Sequence, residues 1–441
     1  MFGLTIVLAG QAISILASGM TGFALAIWVF QRTSSATSLG IMQSAFVLPY
    51  LLVIPLAGVM VDRYTRKLMM MVSDLTAGLG SVAILILLTT DNLQVWHFYL
   101  INIVIGLGNA FQWPAYSAAI TTMVPKEQYG RANGMMSFVQ GGPNVVAPLL
   151  AGALLPIIGL QGILLIDIAT FALAIGMLML VHVPQPVRTV EGQEGKGSLL
   201  KEAAFGFQYI FKRPSLLGFV VMLFFANLFL GFPNSVHVPL ILSRTGNDSL
   251  ILGAVQTAGS LSWALGSLLM SVWGGPKRRL HGVLLGWTGY CLLGNILFGL
   301  GRGLGVWVPS ILLAGLGANV GVATAQAILQ VKVAPDVQGR VFSARRLITW
   351  FPDTFTPVLG GMLADYVMEP AMQNGGWAGH LFGWMVGTGP GSGMAAMMVV
   401  FGALTILALM SGFVFPRIRN METLLPDHDQ LEKVANGGSA A

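Results

Sequence analysis

The sequence predicts an all-α membrane protein of twelve transmembrane helices, arranged as two parallel six-helix repeats. Three observations carry that expectation. Only 9% of the 441 residues are charged and 55% are apolar, whereas a soluble chain carries roughly a quarter charged residues. Apolar runs long enough to cross about 30 Å of hydrocarbon recur along the whole length. The second half of the chain also repeats the first in register.

Spans are expected at 3–30, 39–61, 68–90, 95–120, 131–157, 160–182, 215–242, 250–274, 280–300, 306–331, 341–364 and 393–415. The gaps between them alternate between two sides. One side collects twenty Lys and Arg; the other holds only Arg32, Arg244 and Arg302. By the positive-inside rule both termini are cytoplasmic, in what reads as a bacterial inner (plasma) membrane. The net charge of +6 reflects this asymmetry, so nucleic acid is not an expected partner. The 56 glycines include G-x-x-x-G pairs such as Gly282/Gly286 and Gly317/Gly321, a spacing that lets membrane helices approach closely. The first run, Gly3 to Phe30, is too long and lacks the basic start of a cleavable signal peptide.

The segments divide into an N-terminal half (1–182), a linker (183–214), a C-terminal half (215–415) and a tail (416–441). From Ser198 the linker places Leu199, Leu200, Ala203, Phe207 and Phe211 at helical spacing, which reads as an amphipathic helix on the inner membrane surface. The tail is polar and acidic and reads as disordered.

Residues 124–154 align with 333–363 without a gap and share eight identities, among them Gly130/Gly339, Arg131/Arg340, Pro143/Pro352, Pro148/Pro357 and Gly152/Gly361. A second stretch agrees as well: Leu39-Gly40, Gln43 and Ala45 answer Leu252-Gly253, Gln256 and Ala258. Apolar bias alone does not bring Gly, Arg, Pro and Gln into register. An even number of spans per half keeps the orientation, so the repeat is parallel.

After the second span comes Gly58-Val-Met-Val-Asp62-Arg63-Tyr-Thr-Arg66-Lys67. A Gly, then Asp-Arg, then a basic pair resembles the signature loop of major facilitator superfamily transporters, whose parallel halves bind substrate between them. Residues Asp62, Arg63, Arg66 and Lys67 are therefore expected to act in gating. Three stretches, from Gly10, from Pro114 and over FGFQYIFKRPSLL, resemble the drug/macrolide efflux and enterobactin exporter branch. Gly142-Pro143 with Ala147-Pro148 and Ala151-Gly152 resembles the Gly-Pro-rich antiporter motif of helix five. Two departures stand out. Asn102 occupies the place, four residues before Gly106, where drug antiporters carry Arg. The first span offers Gln11, Ser14, Ser18 and Thr21 where related exporters often carry an acid. These departures leave export better supported than antiport.

Asp74, Asp167 and Asp353 fall within or near hydrocarbon, where acids are costly and mark function by default. Structural roles are expected for Asp74, borrowing partners from the adjacent charged loop, and for Asp167. Asp353 follows Pro352 close to the midplane of span eleven, answers Asn144 in the repeat, and is the expected coupling carboxyl, with Arg346 seven residues earlier. Gln43, Asn109, Gln112, Gln140, Asn144, Asn227, Gln256 and Asn319 are the candidate cavity residues.

The function the resemblance implies is secondary export of an amphiphilic small molecule (a drug, macrolide or siderophore-like compound) by alternating access, with proton antiport one way to drive it. An importer or lipid flippase on the same fold, or a non-transporting receptor-like or assembly protein, fits the same pattern. No P-loop is present, so ATP is not the direct driver. The six histidines are scattered and Cys291 stands alone, so neither a metal site nor an enzyme is expected. No cofactor is called for; the expected partners are a small-molecule substrate, protons and the lipid bilayer, around a monomer.

Overall fold

The computed structural model describes residues 2–124, 129–181, 199–333, 337–372 and 376–424, with only the backbone described at some positions near the charged ends of the helices. Among them eight helices are long and apolar enough to cross a membrane by these measures. The first four spans are α1 (Phe2–Thr33), α2 (Ala36–Arg63), α3 (Arg66–Thr89) and α4 (Val95–Met123). α5 (Tyr129–Leu180) contains two spans, joined where Gly159 takes φ 65° and breaks the helical path. After α6 (Leu199–Phe211) come α7 (Pro214–Thr245), α8 (Ser249–Trp273), α9 (Arg279–Leu300) and α10 (Leu304–Lys332). α11 (residues 338–372), the short α12 (Trp377–Val386) and α13 (Ser392–Val414) complete the C-terminal half. With both arms of α5 counted, twelve spans result.

The fold follows from where small residues allow backbones to meet. In the C-terminal half, a Cβ on Gly286 of α9 would lie 2.5 Å from the Gly317 carbonyl and 2.7 Å from the Gly321 nitrogen of α10. Those three glycines come from the two G-x-x-x-G pairs in the sequence, and they seat one helix on the other. At the charged ends Lys67 donates to the carbonyls of Met179 (2.8 Å) and Val181 (3.0 Å), satisfying acceptors left over where α5 ends.

The apolar core is not evenly divided. At the charge-poor end, one contiguous cluster takes residues from both halves, including Phe30, Leu39, Ala151, Leu240, Leu252 and Ala364. Toward the charge-rich end the packing splits: one cluster belongs to α1 and α3–α5, and two others to the C-terminal half.

Three segments outside the expected spans are built into the fold. The described residues of 365–392, the gap between the last two expected spans, are largely helical. α11 continues to Met372, and α12 follows. The segment is tied down because Glu369 accepts from the Met394 nitrogen at 2.9 Å, and Arg244 donates to the carbonyls of Gly299 (3.1 Å), Gly301 and Val386 (3.1 Å). The start of the tail packs against the C-terminal half, while residues 425–441 lie outside the described residues. Ile418 and Met421 are buried beneath the C-terminal half, and Glu422 accepts from the Leu280 nitrogen at the start of α9 at 2.6 Å. Finally, the amphipathic helix expected in the linker is present as α6. It packs Phe207 and Ile210 against α7 and α11, while Phe205 and Phe211 remain exposed.

Candidate functional site

Two of the cavities within the bundle gather the polar residues of the two halves, one lined mainly by each half. The first, 520 Å³, is lined by Gln11, Tyr50, Asn109, Gln112, Tyr116 and Asn144 with apolar neighbours, and by Arg346 from the other half. The second, 480 Å³, is lined by Asn227, Gln326, Arg345, Asp353 and the indoles Trp263, Trp287 and Trp350. Arg346 lies over the Trp350 ring at 4.0 Å. Since Arg346 lines the first cavity and Trp350 the second, this cation–π pair forms part of the wall between them.

The split of α11 explains this arrangement. The α-helical stretch Gln338–Trp350 gives way to a 3₁₀ turn, Phe351–Thr354, before helix resumes at Thr356. Pro357 has no N–H and Pro352 none, so the ladder is interrupted twice in this region. The Thr356 hydroxyl donates to the Pro352 carbonyl at 2.9 Å within the break. On a straight helix Arg346 and Asp353, two turns apart, share a face; across the break they face different cavities, and it is Arg345 that shares a cavity with Asp353.

The structure thus brings Asn109, Gln112, Asn144 and Arg346 together in one cavity, and Asn227 with Asp353 in the other. Gln43 is exposed on α2 and Gln256 half-buried on α8. Asn319 is turned toward α8. Its amide donates to the carbonyls of Trp263 (3.1 Å) and Gly315 (3.2 Å), and its oxygen accepts from Ser267 at 3.0 Å. The side chains of Asp62, Arg63 and Gln140 lie outside the described residues; Arg66 is buried at the start of α3.

Sequence reasoning missed Tyr50, Tyr116, Arg345 and the three tryptophans, and it assigned Asp74 the wrong partners. Asp74 accepts from Gln11 of α1 at 2.7 Å and from Gln112 of α4 at 3.3 Å, not from the charged loop. Asp167 accepts from Ser18 (2.8 Å) and Ser81 (2.7 Å), which ties the second arm of α5 to α1 and α3.

The charge-poor end is closed by two crossings between the halves. A Cβ on Gly40 of α2 would fall 2.1 Å from the Pro357 carbonyl oxygen of α11, and one on Gly361 would fall 2.5 Å from the Thr37 Cα. A Cβ on Gly253 of α8 would fall 2.5 Å from the Pro148 oxygen of α5, and one on Gly152 2.5 Å from the Ser249 oxygen. These are repeat mates: Gly40 with Gly253, Pro148 with Pro357, Gly152 with Gly361. The α2/α11 crossing also carries a carboxylate. Asp365 accepts from the Ser35 hydroxyl (2.6 Å), the Ala36 nitrogen (3.0 Å), and the Thr37 nitrogen (2.8 Å) and hydroxyl (2.7 Å).

Comparison with known proteins agrees with this architecture. Macrolide efflux protein A of Streptococcus pyogenes is 25% identical over 365 residues, which cover 81% of this chain and 88% of that protein. Enterobactin exporter EntS of Shigella flexneri is 24% identical over 48% of this chain and 50% of its own length. Among solved structures, a bacterial homolog of the human lysosomal transporter Spinster, inward-facing and unoccupied, superposes with a TM-score of 0.67 at 16% identity, covering 96% of this chain and 97% of that one. The POT family transporter PepTSo gives 0.66 at 16% identity, covering 95% and 98%. The family model of the Major Facilitator Superfamily matches residues 7–352, and with the twelve spans and the parallel repeat already described, the chain belongs to that superfamily.

Proposed function

We propose that this protein is a secondary exporter that carries an amphiphilic small molecule out of a bacterial cell by alternating access, driven by proton antiport. The observation that supports it most is the uneven core. One apolar cluster joins the halves at the charge-poor end, and separate clusters serve each half at the other. With both termini cytoplasmic, that is an outward-closed arrangement, with both cavities on the cytoplasmic side of the seal. Rocking the halves would break the glycine crossings and present the same cavities outward.

The cavity linings suit an amphiphile. The first offers amides, phenols and one guanidinium; the second offers indoles, three amides, a guanidinium and a carboxyl. Macrolide efflux protein A and EntS, named for such exported compounds, are consistent with this class. Asp353 is the coupling carboxyl of the C-terminal half in this reading. Asn109, Gln112, Asn144 and Asn227 contact substrate, Arg346 separates the two cavities, and the Asp62–Lys67 loop acts on the gate.

Purified protein in proteoliposomes tests the proposal. A radiolabelled macrolide should be driven against its gradient when a proton gradient is imposed, and not without one. Asp353→Asn copies its repeat mate Asn144 at nearly equal volume. It should abolish the uphill movement and leave downhill exchange measurable. Full uphill transport by that variant would remove Asp353 from coupling; movement indifferent to the proton gradient would overturn antiport.

A further inference from the structure

We propose that Asp74 is a second proton-carrying carboxyl, placed in the N-terminal half and connected to the first cavity through a relay of amides. The proposal rests on the antiport reading above and adds a residue to it. Asp74 lies on α3 and is 7% exposed. Its two oxygens are held from two other helices: Oδ2 by the Gln11 amide of α1 at 2.7 Å, and Oδ1 by the Gln112 amide of α4 at 3.3 Å. The Gln112 oxygen in turn accepts from Asn109 at 3.1 Å. Gln11, Asn109 and Gln112 line both the 520 Å³ cavity and the small pocket that contains Asp74. The acid is therefore one side chain away from the space a substrate would occupy.

The chemistry of the partners sets this acid apart. A primary amide carries both a donor NH₂ and an acceptor oxygen, so by rotating it can serve either state of a neighbouring acid. With the carboxylate, Gln11 and Gln112 donate. With the neutral acid, one of them turns its oxygen to accept the new O–H. Asp365 has no such freedom, because two of its four donors are backbone N–H groups at the start of α2. A proton on Asp365 would break that cap. A proton on Asp74 requires only amide rotation, and that rotation passes through Gln112 to the cavity wall.

The surroundings of Asp74 are nearly free of charge. From α4 Tyr116 is 2% exposed and lines the same cavity as Gln11 and Gln112, and its hydroxyl has no hydrogen-bond partner. From α5 the nearest acid, Asp167, is engaged with Ser18 and Ser81. α1 contributes Gln11, Ser14 and Ser18 and no charge, and α2 brings no charged side chain among its described residues. Arg346 stands on the cavity lining contributed by α11. The balance of the step is simple: a proton from the external bulk binds a carboxylate oxygen, and after the halves rock the same proton leaves to the cytoplasm, with no other bond made or broken.

Infrared difference spectroscopy on the reconstituted full-length protein tests this without a substrate. Stepping the pH from alkaline to acid should produce a protonated-carboxyl C=O band that Asp74→Asn removes and Asp353→Asn leaves in place. Gln112→Leu, which keeps the acid and deletes an amide partner, should shift the same band; this covers the case in which Asp74→Asn does not fold. In proteoliposomes Asp74→Asn should lose proton-driven uphill movement of the macrolide and keep exchange. An unchanged band in both Asp74→Asn and Gln112→Leu, or wild-type uphill transport by Asp74→Asn, overturns the role of Asp74 alone. If the wild-type protein moves the macrolide without regard to the proton gradient, the antiport reading falls and this proposal with it.

Discussion

The two crossings that close the charge-poor end are built from the same parts but locked differently. In each, a glycine on one helix sits against a proline carbonyl on the other, and a second glycine, four residues after that proline, sits against the N-terminal turn of the first helix. The α2/α11 crossing adds Asp365, whose carboxylate caps the start of α2 from the opposite half. The α5/α8 crossing has no such bridge: α8 is capped by its own Asp248, which accepts from Leu250 and Ile251. Between halves, it has the Ser249 hydroxyl donating to the Gly152 carbonyl at 3.0 Å. Duplication supplied the steric fit twice. The electrostatic lock was fitted once, so α2/α11 is the crossing whose opening must break charge-assisted bonds.

The largest effect should come from removing the steric fit. Gly40→Val and Gly253→Val each put a Cβ where a backbone oxygen lies, at 2.1 Å and 2.5 Å, so neither crossing can close. Both should hold the protein open at the charge-poor end and abolish net transport while yield is preserved. Cys291 is buried, so an Asn144→Cys reporter in the cavity can be labelled with an impermeant maleimide from that side. Strong labelling in both variants means the crossings close as one unit. Labelling in only one would show that the other acts as a hinge.

Next comes the lock. Asp365→Asn keeps the size of the side chain but removes the charge that holds two backbone N–H groups and two hydroxyls. Charge-assisted bonds are worth about 1.5–3 kcal/mol, so the closed-to-open ratio should fall by roughly 10- to 100-fold. Labelling of the same reporter should rise accordingly. Asp248→Asn removes a charge from a local cap only and should cost about 1 kcal/mol or less of stability, with labelling unchanged. Equal labelling in the two variants would erase the distinction between the crossings.

The sequence made the repeat legible because its identities sit at inter-half contacts, where only glycine fits and where proline fixes the path of the chain. Gly40, Gly152, Gly253 and Gly361 could be aligned for that reason. The cavities were harder to read. Arg346 and Asp353 look like neighbours on a continuous helix, and no residue pattern announces that a 3₁₀ turn at Phe351–Thr354 will part them. Asp74 was misassigned because its partners, Gln11 and Gln112, are distant in sequence and chemically ordinary; only the packing of α1, α3 and α4 brings them together. Asp365 fell outside the expected spans and drew no reading, since a carboxylate that caps a helix some 330 residues away leaves no local signal.

The smallest effect isolates the one polar bond of the α5/α8 crossing. In a regular helix the carbonyl of Gly152 would accept from the nitrogen of residue 156, but that residue is Pro156, which has no N–H. Ser249 supplies the missing donor from the other half, so a defect within α5 becomes an attachment point for α8. Ser249→Ala should therefore cost about 1 kcal/mol, the usual net worth of a neutral hydrogen bond, visible as a modest drop in melting temperature and a slight rise in Asn144→Cys labelling. Pro156→Ala restores an N–H in place. In that background the carbonyl no longer depends on Ser249, and adding Ser249→Ala should cost much less. A double-mutant cycle over the two positions then gives the coupling between the hydroxyl and the missing N–H. If Ser249→Ala costs the same with Pro156 as with Ala at that position, the hydroxyl does not stand in for the missing N–H; if it costs nothing in either, the α5/α8 contact is held by steric fit alone.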